Sequence, residues 1–266
     1  MTFFSAMKRF YRELLSNIDY IIYYVKALEK AKVSTTALGY LWWFLDPLLN
    51  MGIYIILVRV AFSQKDPYYP VFFFSAMLVW RYFSMSVQQS VSSITSNLSL
   101  CRDNYVPKFI FPLAVCISSL TPFLFSLGFL GILMVVYGLP FTIYMLYLPL
   151  LIVALFLLTW ACSMMVAHIN VFMNDFSNIL PHIIMIGMFA TPIFYNIDKI
   201  PQKYIFFMKL NPVGILTTSF RDIFTYGQAP PTMRILYLIF ITIFFIMLGI
   251  YTLYKNDQIY NRINTR

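Results

Sequence analysis

The side chains of this sequence that could do chemistry are few and lie far apart. The carboxylates are not paired as a general acid and base would be, and each aspartate lies near the end of an apolar run or in a loop: Asp46, Asp103, Asp175, Asp198 and Asp222. His168 and His182 are too distant in sequence to serve as ligands on one helix face. The cysteines show neither metal-ligand spacing nor a disulfide framework: Cys101, Cys116 and Cys162. We therefore expect no catalytic residue, no metal site and no enzyme activity in this chain by itself.

Nucleotide-binding and hydrolase motifs are also missing from the sequence. No Gly-x-x-x-x-Gly-Lys-Ser/Thr loop occurs, so we do not expect the chain to bind ATP through a P-loop. No serine lies in a Gly-x-Ser-x-Gly elbow. The pattern therefore favours a pathway that a molecule passes through, and not an active site.

The composition indicates the environment of this pathway. Of the 266 residues, 61% are hydrophobic and only 11% are charged, whereas soluble domains carry about 25% charged residues. The apolar runs are long, which favours membrane helices over the short alternating strands of a barrel. The net charge of +9 is typical of basic cytoplasmic flanks, so we expect no nucleic acid partner. The predicted fold is an all-α integral membrane protein.

The first 34 residues predict an amphipathic helix that lies in the membrane interface. Met7, Phe10 and Leu14 recur at spacings of three and four, and Lys8 and Arg9 fall on the other side. A basic face opposite an apolar face is typical of interfacial helices. The alternative is an ordinary helix packed on a soluble core.

Six membrane spans follow within a transmembrane domain of residues 35–256, and residues 257–266 form a polar tail. A span needs about 20 apolar residues in a helix. The predicted spans cover residues 38–62, 71–97, 109–138, 141–172, 179–195 and 233–254. Prolines at 112 and 122 are expected to break the third span. The apolar pieces of residues 200–228 are too short to cross, which predicts short re-entrant helices before the last span.

Polar residues mark the first two spans. Asp46 would cost about 2.5–3.5 kcal/mol at the centre of a lipid-facing helix, so its side chain should face protein or water. Trp42 and Trp43 fit a headgroup-level anchor, and Pro47 invites a kink. The second span contains Arg81 with several amides and hydroxyls, which suit either interhelical contacts or a wet channel.

The basic residues set the expected orientation. An even number of spans places both termini on one side, and the Lys and Arg of the N-terminal segment, the loop after the second span and the tail all fall there, so this side should be cytoplasmic. The segment before the last span is an exception, because its cations would lie outside: Lys199, Lys203, Lys209, Arg221 and Arg234. These cations contact headgroups or an anionic substrate, or one predicted span is wrong.

Several motifs resemble those of one transporter family. Residues 38–48 read LGYLWWFLDPL, residues 171–181 read VFMNDFSNILP, and residues 191–195 read TPIFY. In order and spacing, with Ile200-Pro201 and Leu210-Asn211-Pro212, they resemble type 2 ABC transporter permeases that export polysaccharides such as O-antigen, capsule or teichoic acid. The likeness covers nearly the whole chain. Residues 32–37 depart from it, because many relatives carry an aromatic and a basic residue there.

The resemblance implies a homodimer in the bacterial cytoplasmic (inner) membrane, with two copies of a separate ABC ATPase subunit that bind ATP and magnesium. It also implies a lipid-linked glycan as substrate. The loop after the second span would contact the ATPase through Arg102, Asp103, Tyr105 and Lys108. The re-entrant helices would lie at the outer mouth, with their basic residues Lys203, Lys209 and Arg221.

The first and fifth spans of two protomers would then face each other around a channel. Flat aromatic rings suit the C–H faces of sugars, and helix packing or a lipid-facing belt is the alternative for each ring. The candidate channel residues are Tyr40, Trp42, Trp43, Asp46, Tyr54, Phe189, Phe194 and Tyr195. Two other functions stay open: a type 2 ABC permease for a small lipophilic molecule or drug, and a partner-free membrane transporter or enzyme.

Overall fold

The structure is a computed structural model that describes residues 3–34, 37–62, 66–98, 105–196, 201, 203, 206, 208, 210–257 and 260. Over these residues the chain forms helices and no strand. The α-helices are α1 (Phe3–Ser16), α2 (Ile18–Ser34), α3 (Trp42–Phe62), α4 (Tyr69–Ser90), α5 (Ile110–Val136), α6 (Leu148–Phe172), α7 (Phe176–Phe189), α8 (Pro212–Phe224) and α9 (Thr232–Lys255). Three short 3-10 helices, Gly39–Leu41, Thr95–Asn97 and Ile143–Tyr147, precede α3, follow α4 and precede α6. The all-α prediction is confirmed.

Four helices among the described residues are long and apolar enough to cross a membrane. They cover Tyr69–Ser90, Ile110–Val136, Ile143–Phe172 and Thr232–Lys255. The last agrees with the predicted span to within one residue at each end. Together with the composition, these helices make the chain an integral membrane protein.

The predicted second span ends earlier than expected, because side chains compete for backbone carbonyls after α4. Ser93 Oγ donates to the carbonyl of Ser90 at 2.7 Å, and Asn97 Nδ2 donates to the carbonyl of Ser93 at 2.7 Å. Hydroxyl and amide groups of this kind offer the backbone an alternative to the helix ladder. The chain therefore leaves the α-helix at Ser90 and turns through Thr95–Asn97.

The predicted fifth span is represented by a shorter helix. The helix α7 has 14 residues, a length of about 21 Å at 1.5 Å per residue. A hydrocarbon core is about 30 Å thick. Pro192 lies three residues after Phe189 and has no N–H to donate, so the helix does not continue to Tyr195.

The third predicted span is one helix, and the expectation that prolines break it is wrong. Pro112 lies in the first turn of α5, where its missing N–H would have no intrahelical partner. Pro122 lies inside the helix. Ser126 Oγ donates to the carbonyl of Pro122 at 2.9 Å, one turn later.

The N-terminal segment forms two helices instead of one. Asn17 separates α1 from α2, and its side-chain amide donates to the carbonyl of Glu13 at 2.7 Å. Arg9, predicted to lie on the basic side of this segment, has partners within the chain. Its guanidinium bonds to Glu13 and to Asp257 beyond the end of α9.

Two hydrophobic clusters form the core. The first is centred on α4, whose buried residues pack against α5, α6 and α8. The second joins α1 and α2 to the beginning of α5, the end of α6 and the end of α9. The helix α3 makes fewer contacts, and it packs mainly on α5 and α4. It therefore forms one wall of a cleft.

Candidate functional site: a cleft between α3, α4 and α5

A cleft of about 140 Å³ lies between α3, α4 and α5, and the end of α2 closes one side. Its walls are mostly apolar, and its polar groups come from four helices. The polar lining residues are Lys32, Asp46, Asn50, Arg81, Gln89, Ser119 and Ser126. The aromatic and methionine lining residues are Trp42, Trp43, Met51, Phe74, Met77, Tyr82, Met85 and Phe123. Such a cleft can hold an amphipathic ligand or part of one.

An ion pair spans the cleft from α3 to α4. The Arg81 guanidinium donates to a carboxylate oxygen of Asp46, and Asn50 Nδ2 donates to the other oxygen at 3.2 Å. The side chain of Asp46 is 47% exposed and that of Arg81 is 21% exposed. Asp46 thus faces protein and the cleft, as its cost in lipid predicts. Sequence reasoning named Arg81 as a polar residue of the second span but gave no reason to pair it with Asp46.

Aromatic rings gather beside the ion pair. The Tyr40 and Trp43 rings meet edge to face with centroids 4.8 Å apart, and Trp43 lies 5.4 Å from Phe125 of α5. Trp42 also lines the cleft. The predicted channel residue Tyr54 lies on α3, but its side chain is outside the described residues.

Two charges of α2 face hydroxyl groups of α5. Lys32 Nζ donates to Ser118 Oγ at 3.1 Å, and Thr121 Oγ1 donates to the Glu29 carboxylate. Burial lowers the pKa of the Lys32 ammonium, and the nearby Glu29 carboxylate opposes this shift. Sequence reasoning missed this contact. The signal was the spacing of three in both helices, which places Glu29 and Lys32, and likewise Ser118 and Thr121, on one face.

The other predicted channel aromatics form a separate group after α7. Phe194 lies between Phe189 and Phe73, with ring centroids 6.2 and 5.5 Å apart. The Tyr195 hydroxyl donates to the carbonyl of Phe189 at 2.7 Å. None of the three predicted aromatics lines the cleft. Within this chain the structure therefore divides the predicted channel residues into two groups.

Arg221 of α8 holds the chain that follows α7. The guanidinium donates to the carbonyls of Phe72 at 3.1 Å, Tyr195 at 3.2 Å and Ile193, and it lies 3.6 Å from the centre of the Phe72 ring. Arg221 is only 3% exposed. The expectation that this cation is available for headgroups or substrate is wrong, because its donors are used inside the protein.

The other basic residues of this segment divide into three cases. Arg234 also has an internal partner, since its Nη1 lies 3.5 Å from the Asp222 carboxylate. Lys203 is exposed. Lys199 and Lys209 lie outside the described residues.

The predicted ATPase-contact residues are only partly described. Arg102 and Asp103 lie outside the described residues. Lys108 is 4% exposed and donates to the carbonyl of Val106 at 3.2 Å, so the expectation that it contacts a partner is wrong for this conformation. Tyr105 is 48% exposed, and its hydroxyl bonds to Arg9 and Asp257. Burial of the hydroxyl, with the Asp257 and Glu13 carboxylates beside it, raises the pKa of Tyr105, so this group stays a neutral donor.

Comparisons with known proteins agree with the resemblance in the motifs. Residues 32–225 match the family model of the ABC-2 type transporter. The O-antigen export system permease protein RfbA of Myxococcus xanthus is 31% identical over 226 residues, which cover 84% of this chain and 87% of that protein. A protein of the same name from Klebsiella pneumoniae is 27% identical over 199 residues, 74% of this chain and 77% of that protein. A second Klebsiella pneumoniae protein of that name is 25% identical over the same shares.

Proposed function

The chain belongs to the ABC-2 type transporter family, and we propose that it is the membrane permease subunit of an exporter for a lipid-linked polysaccharide such as O-antigen. The observation that carries this proposal is the 31% identity with an O-antigen export system permease over 84% of the chain. The match extends over most of both proteins, so it includes the cleft, α7 and the segment up to the last span. Energy would come from a separate subunit, since this sequence has no P-loop.

The proposed architecture has six crossings, with α3 as the first and α7 as the fifth. The helix α3 has 21 residues, enough to span. The helix α7 needs the residues after Phe189 to complete its crossing, and Arg221 fixes these residues through their carbonyls. Both termini would lie on the cytoplasmic side of the bacterial inner membrane, with α1 and α2 at its interface.

The proposed assembly is a homodimer with two ATPase subunits, which bind ATP and magnesium. Exposed apolar side chains on α3 and α7 support a dimer, among them Ile53, Ile56, Ile183 and Ile186. The half-exposed carboxylate of Asp46 supports it further, because a polar group at this depth is costly against lipid. A second protomer across α3 would shield the carboxylate from lipid and leave it facing a water-filled channel.

The cleft would then contact the sugar rings of the glycan without distinguishing between different glycosidic linkages. Sugar rings present C–H faces, which pack on the flat rings of Trp42 and Trp43, and hydroxyl groups, which can bond to the free lone pairs of Asp46. ATP binding by the partner subunits would shift the permease between closed and open populations. A small number of polar groups on an apolar wall holds a chain weakly enough to let it move.

A small lipophilic molecule is the second candidate substrate. The volume of the cleft, about 140 Å³, and its mostly apolar lining favour this reading within one protomer. The same family would then export a drug-like compound through the same helices.

The test is transport by the purified complex. We would co-express this chain with a candidate ABC ATPase subunit, reconstitute the complex in vesicles and add either a lipid-linked glycan or a lipophilic dye. ATP-dependent movement of the glycan, and not of the dye, is the expected result. Movement of the dye alone would support the second candidate, and failure to isolate any ATPase with the chain would overturn both.

A further inference from the structure

Arg9 lies at the centre of a polar cluster that joins three distant parts of the chain. Its Nε donates to Glu13 at 2.7 Å within α1, and its Nη2 donates to Asp257 at 3.1 Å and to the hydroxyl of Tyr105. Tyr254 of α9 donates to Glu13 at 2.7 Å. The cluster therefore links α1, the end of α9 and the segment that begins at Tyr105. We name these five residues the Arg9 cluster.

Two aromatic rings enclose the guanidinium. The carbon Cζ of Arg9 lies 5.2 Å from the centre of the Tyr105 ring and 5.0 Å from that of the Tyr254 ring. An arginine between two ring faces gains cation–π stabilisation and loses much of its freedom to move. The two rings thus fix the orientation of the Arg9 guanidinium plane, in addition to its hydrogen bonds.

The charges of the Arg9 cluster balance when the neighbouring Lys108 is included. Arg9 faces the two carboxylates Glu13 and Asp257, and Lys108 adds a second cation 5.5 Å from the centre of the Tyr105 ring. The Tyr105 hydroxyl accepts from Arg9 and lies 3.1 Å from Asp257, to which it can donate. Each polar group has a partner of opposite character, so the arrangement is specific in geometry.

A second contact fixes the chain after α9. Tyr260 is fully buried, its hydroxyl bonds to His168 Nδ1 on α6, and its ring lies 6.1 Å from that of Phe172. Asp257 is therefore held close to the helix ends and cannot swing freely away from Arg9.

The position of Tyr105 gives the cluster its significance. Tyr105 belongs to the loop after the second predicted span, which is proposed to contact the ATPase, and it directly follows residues 99–104. We propose that Arg9 is a positioning residue, which holds the segment beginning at Tyr105 against α1 and α9, so that a push on the preceding loop is passed to both helices. This inference rests on the proposed function.

The experiment uses the full chain in complex with its ATPase, reconstituted with a lipid-linked glycan. The variants are Tyr105→Phe, which keeps the ring over Arg9 and removes the hydroxyl, and Asp257→Asn, which keeps the shape and removes the charge. We expect the amount of glycan moved per ATP hydrolysed to fall about tenfold in each, the factor set by loss of a hydrogen bond to a charged group. The KM for ATP should stay within about twofold of wild type, since the ATP site is elsewhere.

Matched controls lie on the same helix. Tyr11 and Arg12 of α1 are exposed, and Tyr11→Phe and Arg12→Gln should leave the ratio unchanged. Arg9→Lys keeps the charge without the planar fork, and it should retain more coupling than Arg9→Gln.

The possible outcomes distinguish a failure of this inference from a failure of the proposed function. Unchanged transport per ATP in assembled Tyr105→Phe and Asp257→Asn complexes would overturn the inference. Loss of assembly, or ATP hydrolysis that falls in proportion to glycan transport in the same variants, would also overturn it, since the cluster would then only stabilise the fold. If wild-type protein neither binds an ATPase nor moves glycan, the proposed function itself fails.

Discussion

Asp46 of α3 and Arg81 of α4 form an ion pair across the cleft, although 35 positions separate them in sequence. Asn50 orients the carboxylate from one turn further along α3. Because α3 has few other contacts with the rest of the chain, this pair is one of the attachments that set the width of the cleft.

The ion pair predicts non-additive effects on stability. Arg81→Gln leaves the Asp46 carboxylate without its cation, so the variant should unfold in detergent at a lower temperature and give less protein. The double variant Asp46→Asn with Arg81→Gln should recover part of this loss, with a coupling energy of about 0.5–3 kcal/mol. A thermal double-mutant cycle measures it. Additive single effects would show that the pair contributes nothing, as at many exposed sites.

Trp43 predicts a ring-dependent effect on transport. Trp43→Ala removes the ring that contacts Tyr40 and Phe125 beside the cleft. We expect glycan transport to fall about two- to tenfold, since loss of one aromatic contact is worth about 0.5–1.5 kcal/mol beyond its area. The variant Trp43→Phe should keep most of the glycan transport. Phe240 of α9, which is 69% exposed, supplies the control Phe240→Ala. Equal losses at both positions would argue against a path along the cleft.

Lys32 predicts a rise in stability with pH. Burial lowers the pKa of its ammonium in the folded protein below the ordinary value of 10.5. The folded state therefore disfavours the charged form, and this penalty is relieved as the pH rises through the lowered pKa towards 10.5. The unfolding temperature of wild type should therefore rise relative to that of Lys32→Met as the pH is raised through this window. A constant difference between wild type and Lys32→Met would contradict the prediction.

Arg221 predicts a structural loss that lysine cannot repair. Its three carbonyl partners lie around a planar guanidinium. A lysine ammonium cannot reach them in the same geometry. Arg221→Lys should cost about 1–3 kcal/mol of stability, the penalty for leaving buried groups unsatisfied. Protease sensitivity of the segment after α7 and the thermal midpoint both report it. Lys203→Gln, at an exposed side chain, is the comparison. If both variants show the same thermal midpoint and protease sensitivity, the carbonyl contacts of Arg221 contribute little to stability.

Local sequence determined the class of the protein and most of its helices. Hydropathy depends on neighbouring residues alone, so α9 was predicted to within one residue at each end. Family motifs around Asp46 and Asp175 led to the same family that the comparisons show. The ends of α4 and α7 were misjudged, because serine, threonine, asparagine and proline close to a helix end decide where it stops through hydrogen bonds that a hydropathy window does not contain.

The tertiary structure decided which polar side chains meet. Arg9 and Asp257 are separated by 248 positions, and Arg221 lies 149 positions from the carbonyl of Phe72. Nothing in the sequence around either residue fixes its partner, because the partner depends on how whole helices pack. The sequence by itself established that the charge of Asp46 should face protein or water, since a bare charge against lipid is too costly. Only the packing of α1, α4, α8 and α9 settled what those partners are.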